Sequence, residues 1–440
     1  MRRFLALAAA VVLLTGMVSC GQQGGAQPAP AATTAAQAAQ AETGASGAGE
    51  ETKAQNAAGQ DAAGKDAAGA SGNPGGAKSD VMKVAMITGI GDINDQSFNQ
   101  TTYEACKAYC DLNGLEFTYS RPDEETTEGR AKAIGKAAEE GYNVIVLPGY
   151  SFAGCLLETT EKYPDVKFIA LDVSDDDILR EALGDKYDGR PGYWNAADYY
   201  YEDNVYCAVY QEEIAGYMAG MAAVKMGFRK LGFLGGVAVP AVIRYGSGFV
   251  QGANAAASEL GLEDVEVVYA YGNQFFGDAE ITADMDQWYA DGVECIFACG
   301  GGIGSSAGEA AKKNGGKLIG VDVDQKGALD GEYGEGTTVT SAMKGLAVTV
   351  NTTLGAIKHG EWESCRGKIT RLGLVSGEDP VQNYVQLPMD TTAWCETFTQ
   401  DDYRSMVAGI YDEELHVSDD ISSEEPFADR IKVTYLGKLK

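Results

Sequence analysis

The densest run of hydrogen-bonding side chains follows the apolar stretch Val81–Thr88 and reads Gly89-Ile-Gly-Asp-Ile-Asn-Asp-Gln-Ser-Phe-Asn-Gln100. Its glycines permit tight turning, and Asp92, Asn94, Asp95, Ser97 and Asn99 offer donors and acceptors to a small polar ligand. Ser97 has the residue type and position of a helix N-cap. Phe98 has two readings: a ring packed beneath its loop, or a platform on which a flat ligand stacks. Asp322 ends another apolar run, in Gly320-Val-Asp-Val-Asp324, and a carboxylate there can accept from two vicinal hydroxyls such as ribose presents. Gly300-Gly-Gly302 also follows an apolar run, with Gly301 at its centre, and lets backbone approach a ligand closely. It lacks the Gly-Lys-Ser/Thr ending of a phosphate loop, which argues against nucleotide hydrolysis. Tyr150 and Phe152 follow a further run and are expected at the same mouth.

None of these groups forms an activated nucleophile or an acid–base pair, so no catalytic residues are expected. The two histidines, His359 and His416, lie in unrelated contexts. Cys106 and Cys110 stand one helical turn apart, yet too few further ligands exist for a metal site, and no metal or cofactor is expected. The net charge of −30 argues against nucleic acid as a partner, because phosphate contacts need a basic patch.

Apolar runs and amphipathic stretches alternate through the chain. Val81–Thr88, Leu115–Ser120, Asn143–Pro148, Val166–Asp172 and Val205–Tyr210 read as strands separated by helices. A second copy of the pattern supplies Leu231–Gly235, Val265–Tyr271, Glu294–Ala298 and Leu318–Val323. Asp175–Asp203 reads as a polar, aromatic-rich irregular insertion. The fold class is therefore α/β, two doubly wound parallel-sheet lobes joined by hinge crossovers, with ligands held beyond the carboxyl ends of the strands. The boundaries expected are 80–210 plus about 337–375 for the first lobe, 211–336 for the second, and 376–440 as a C-terminal segment completing both. Val339–Met343 is expected to return the chain to the first lobe. Arg430–Leu436 alternates like an edge strand.

The N-terminus has a different character. Arg2 and Arg3 precede the apolar run Phe4–Leu14, the layout of a secretory signal over residues 1–19. That run is shorter than the ~20 residues a membrane-spanning helix needs. Met17-Val18-Ser19-Cys20 resembles a bacterial lipobox, which implies lipidation at Cys20 and a membrane contact through the lipid. Residues 20–79 are nearly all small or polar, cannot bury a core, and read as a flexible tether.

Several segments taken together resemble the basic membrane protein family of lipoproteins, a group that includes purine nucleoside receptors of ABC transporters. They are Val84-Ala-Met-Ile-Thr88, Asn94–Gln100, Glu213-Ile-Ala-Gly-Tyr-Met-Ala-Gly220, Gly232–Gly236, Val242-Ile-Arg-Tyr-Gly-Ser-Gly-Phe249 and Gly320–Gln325. The resemblance implies a type I periplasmic-binding-protein-like fold and no catalysis. Its partners would be a purine nucleoside or similar solute and an ABC permease. By position, Phe98 and Tyr245 would be the two faces of a base-stacking sandwich. Phe276 and Asp278 would fall on the family's aromatic-x-Asp segment, and Lys344 would bind the sugar alongside Asp322. Gly89 and the segment Gly149–Gly154 depart from the pattern, because the family carries acidic residues there. A sensory lipoprotein for the same ligand, or a nucleoside hydrolase working through Asp92 and Asp95, are the alternative readings.

Overall fold

Every apolar run in the first half becomes a strand of one parallel sheet. The computed structural model describes residues 81–89, 91–190 and 192–440; the expected signal segment, Cys20 and the tether lie outside these residues. In chain order the first half comprises β1 (Lys83–Ile87), α1 (Phe98–Asn113), β2 (Glu116–Ser120), α2 (Thr127–Glu139), β3 (Val144–Pro148), α3 (Ala153–Thr159), β4 (Lys167–Leu171), α4 (Asp175–Leu183) and β5 (Val205–Tyr210). The second comprises α5 (Glu212–Lys225), β6 (Lys230–Gly235), α6 (Pro240–Leu260), β7 (Glu266–Tyr271), α7 (Ala279–Ala290), β8 (Cys295–Cys299), α8 (Gly304–Asn314), β9 (Lys317–Asp322), α9 (Lys326–Tyr333) and β10 (Thr338–Lys344). The chain then adds α10 (Leu346–Lys358), β11 (Lys368–Leu372), β12 (Val385–Gln386), α11 (Gln400–Tyr411) and β13 (Lys432–Lys438).

The strands form two sheets, ordered β11-β5-β4-β3-β1-β2 and β12-β10-β9-β8-β6-β7-β13. All pairings are parallel except β12 with β10. Both sheets reverse strand order beside their first strand, which opens a crevice at the carboxyl edge. Two assignments from sequence are corrected. β10 pairs with β9 and belongs to the second sheet; the crossing back to the first occurs after Lys344, where α10 packs on α1 and β11 pairs with β5. The supposed irregular insertion begins with α4, whose capping box joins Ser174 and Asp177.

Burial follows the layers. α2, α3 and α4 cover one face of the first sheet, and α7, α8 and α9 cover one face of the second. A third apolar core is continuous through both sheets and includes α5, α6 and α10. Within it α5 and α6 meet backbone to backbone. A Cβ on Gly216 or Gly220 would lie 2.1 or 2.0 Å from the carbonyls of Tyr245 and Phe249. On Gly248 or Gly252 it would lie 2.0 Å from those of Glu213 and Tyr217. Four glycines thus set the distance between the start of α5, with Glu212 and Glu213, and the start of α6, with Arg244 and Tyr245.

Candidate functional site

The carboxyl edges of the two sheets enclose a cavity holding about 850 Å³ of empty space, part of it open to solvent. Phe98, Asn99, Tyr150 and Asp172 reach it from the first sheet's side; Tyr245, Phe275, Gly301, Asp322 and Lys344 reach it from the second's. Phe98 sits at the start of α1 because Asp95 organises that turn. Asp95 Oδ1 accepts from the backbone N–H of Ser97 and Gln100, and Oδ2 accepts from the N–H and side-chain amide of Asn99. Ser97 therefore does not cap with its side chain, contrary to expectation. Its hydroxyl is buried and donates instead to Asp322 Oδ2 across the cleft at 2.5 Å.

Lys344 is the hub of the polar floor. Its ammonium donates to Asp172 Oδ2 at 2.5 Å and lies 3.5 Å from both Asp322 Oδ1 and Glu212 Oε1. It also lies 4.8, 5.5 and 5.7 Å from the ring centroids of Phe98, Tyr210 and Tyr245. Burial alone would discharge a lysine, but these carboxylates outweigh it and hold the ammonium charged. Burial raises the carboxyls of Asp172 and Asp322, against the pull of Lys344. Asp172 Oδ1 is buried without a hydrogen-bond partner among the described residues. Beside the floor, Arg244 Nε donates to Glu212 Oε2 at 2.7 Å, and Arg371 bonds Glu213 at 2.9 Å. Tyr245 is buried and donates its hydroxyl to the carbonyl of Ala342 at 3.3 Å. Four aromatic rings, several carboxylates and two cations thus face one space, a set suited to gripping a planar, hydroxylated, uncharged molecule.

The family description "Bmp: ABC transporter substrate-binding protein PnrA-like" matches residues 82–378. The chain belongs to this family. As a Bmp protein it is a substrate-binding protein of an ABC transporter. It is 25% identical over 325 residues to the ABC transporter nucleoside-binding protein BmpA of Lactococcus lactis, spanning 70% of this chain and 83% of that one. Basic membrane protein A1 of Borrelia garinii is 26% identical over 69% of this chain and 80% of its own. A solved solute-binding protein from Aeropyrum pernix shares the fold with a TM-score of 0.56 at 18% identity, covering 76% of this chain and 87% of that one. One from Conexibacter woesei gives 0.55 at 19%, covering 77% and 99%. The Bmp match ends at 378, yet β12, α11 and β13 lie beyond it, and both strands extend the second sheet.

Among the residues singled out from sequence, Phe98, Asn99, Tyr150, Tyr245, Gly301, Asp322 and Lys344 line the Bmp cavity, and Ser97 supports it through Asp322. Asp92 and Asn94 do not reach it. Both are exposed, and Asp92 Oδ1 accepts from the backbone and side-chain amides of Asn94, closing the loop on itself. Phe276 is 62% exposed. Its neighbour Phe275 lines the cavity instead, against Gly236, where a Cβ would meet its ring at 2.6 Å. The two neighbours differ in side, one lining the cavity and the other exposed, so a one-residue offset reversed the assignment. Asp278 is occupied as the cap of α7 and as a partner of Lys440.

Asp172, Arg244, Glu212 and Asp177 were not anticipated. A signal for Asp172 was present: Lys167-Phe-Ile-Ala-Leu-Asp-Val173 and Lys317-Leu-Ile-Gly-Val-Asp-Val323 are copies of one strand-end pattern. Glu212 and Arg244 carried none, because their roles depend on the glycine-mediated contact of α5 with α6.

Proposed function

We propose that this Bmp protein captures a purine nucleoside in the cleft and delivers it unchanged to an ABC permease, held at the membrane by lipid on Cys20. The observation that carries the reading is that Phe98 and Tyr245, from opposite sides of the cleft, border one cavity with Asp322 and Lys344. The base stacks between the rings, as flat aromatic faces favour. The ribose hydroxyls lie against Asp322, Asp172 and Lys344, where charged acceptors and a charged donor make strong hydrogen bonds. A related protein named as nucleoside-binding adds support. The lobes comprise 81–210 with α10 and β11, and 211–344 with the C-terminal strands; they open to admit the ligand and close on it by a hinge.

Calorimetry with inosine, guanosine and their free bases tests this. Phe98→Ala should weaken nucleoside binding by ~1–3 kcal/mol. Unchanged affinity in a folded variant would remove the sandwich. Release of free base from inosine would instead favour a hydrolase. Fatty-acid labelling that is lost in Cys20→Ala tests the anchor.

A further inference from the structure

Arg244 is only 8% exposed and borders the cavity one residue before Tyr245. Its Nε is committed to Glu212 at 2.7 Å. Its two terminal nitrogens have no hydrogen-bond partner among the described residues, and the side chain lines the cavity. A guanidinium offers them as a planar fork, which pairs best with two acceptors side by side in one plane. The surrounding charge decides what carries those acceptors. Asp95, Asp172, Asp177 and Asp322 line the cavity against only Arg244 and Lys344. Both cations are already balanced, by Glu212 and by the cluster around Lys344. A carboxylate or phosphate would enter an excess of negative charge, so the fork awaits a neutral acceptor pair.

We propose that Arg244 reads the base: its fork takes the adjacent O6 and N7 acceptors of a 6-oxopurine held between Phe98 and Tyr245. This rests on the nucleoside reading above and adds a preference to it. Guanine and hypoxanthine present two acceptors on that edge, whereas adenine presents one acceptor and an amino donor. Uracil sets O4 between C5–H and N3–H, and O2 between N3–H and the glycosidic nitrogen, so neither oxygen has a second acceptor beside it. Specificity thus falls to an arginine of the second half, while Gly89 and Gly149–Gly154 of the first carry no acid to read the base.

The test is calorimetry on the full chain with inosine, guanosine, adenosine, uridine and 7-deazaguanosine, in which N7 is replaced by C–H. Inosine and guanosine should bind ~10–100-fold more tightly than adenosine or 7-deazaguanosine. Arg244→Lys keeps a cation beside Glu212 but loses the fork, and should compress these ratios to within a few-fold. The unsubstituted chain tested against the analogues keeps the proposal falsifiable even if the variant misfolds. Equal binding of guanosine and 7-deazaguanosine, or ratios unchanged in Arg244→Lys, overturns the role of Arg244 and leaves nucleoside capture standing. Binding of no nucleoside by folded protein overturns both.

Discussion

Asp172 and Asp322 hold equivalent positions in the two halves of the molecule. Each lies at the carboxyl end of the fourth strand of its half, Asp172 just after β4 and Asp322 as the last residue of β9, and each pairs with the same lysine. Each also has a left-handed backbone, with φ of 57° and 67°, which aspartate tolerates better than most residues. They differ in what remains of the carboxylate. Asp322 spends one oxygen on Ser97 and turns the other toward Lys344. Asp172 gives one oxygen to Lys344 and leaves the other without a partner among the described residues. A repeated strand-end pattern has thus yielded two acids that each tie the halves together, Asp322 through Ser97 with both oxygens engaged and Asp172 through Lys344 with an acceptor to spare. The difference arises because the turn before α1 brings a serine to Asp322, and no equivalent hydroxyl among the described residues bonds Asp172.

Four experiments test this contrast. Lys344→Met removes the cation that Asp172, Asp322 and Glu212 share, and should cost ~3–5 kcal/mol of stability in urea denaturation. A loss under ~1 kcal/mol would mean that the carboxyls are protonated and need no cation. Asp322→Asn should cost ~1.5–3 kcal/mol, because it replaces a charged acceptor of the Ser97 hydroxyl and removes a carboxylate from beside the Lys344 ammonium. The pH dependence should be smaller, ~1–2 kcal/mol between pH 5 and 7.5. Burial raises the carboxyl of Asp172, that of Asp177 to about 6 and that of Glu213 to about 7. The folded chain therefore binds more protons than the unfolded chain from about pH 4 to 7, and stability falls as pH rises through that window. Melting temperatures that rise with pH would contradict this. Asp172→Asn should change stability least, by under ~1 kcal/mol, since the amide nitrogen can occupy the unpartnered side. The same substitution should flatten the pH slope and weaken nucleoside binding in calorimetry, separating the two aspartates by function.

Much of this was legible in the chain. Period and length identified the strands, because a strand buried on both faces must be apolar throughout. Strand-end positions then located Phe98 and Asp322, because parallel sheets present ligands at their carboxyl edges, whereas Lys344 came from the family resemblance alone. The errors share one cause. Asp92, Asn94 and Phe276 are chemically apt and lie in the right loops, but the direction of a loop side chain depends on which backbone groups it must satisfy. Asp95 won the capping role from Ser97 in the same competition, which released the serine to reach Asp322.

Local pattern therefore specified which segments meet at the cleft, since burial periodicity and turn residues act over a few neighbours along the chain. Which side chains face one another across it was left to packing over long sequence separations. Arg244 bonds Glu212 because four glycines let two helices touch, and Lys344 bonds Asp172 because β10 ends opposite β4. Such pairings depend on distances between elements, and no residue carries that distance in its own identity.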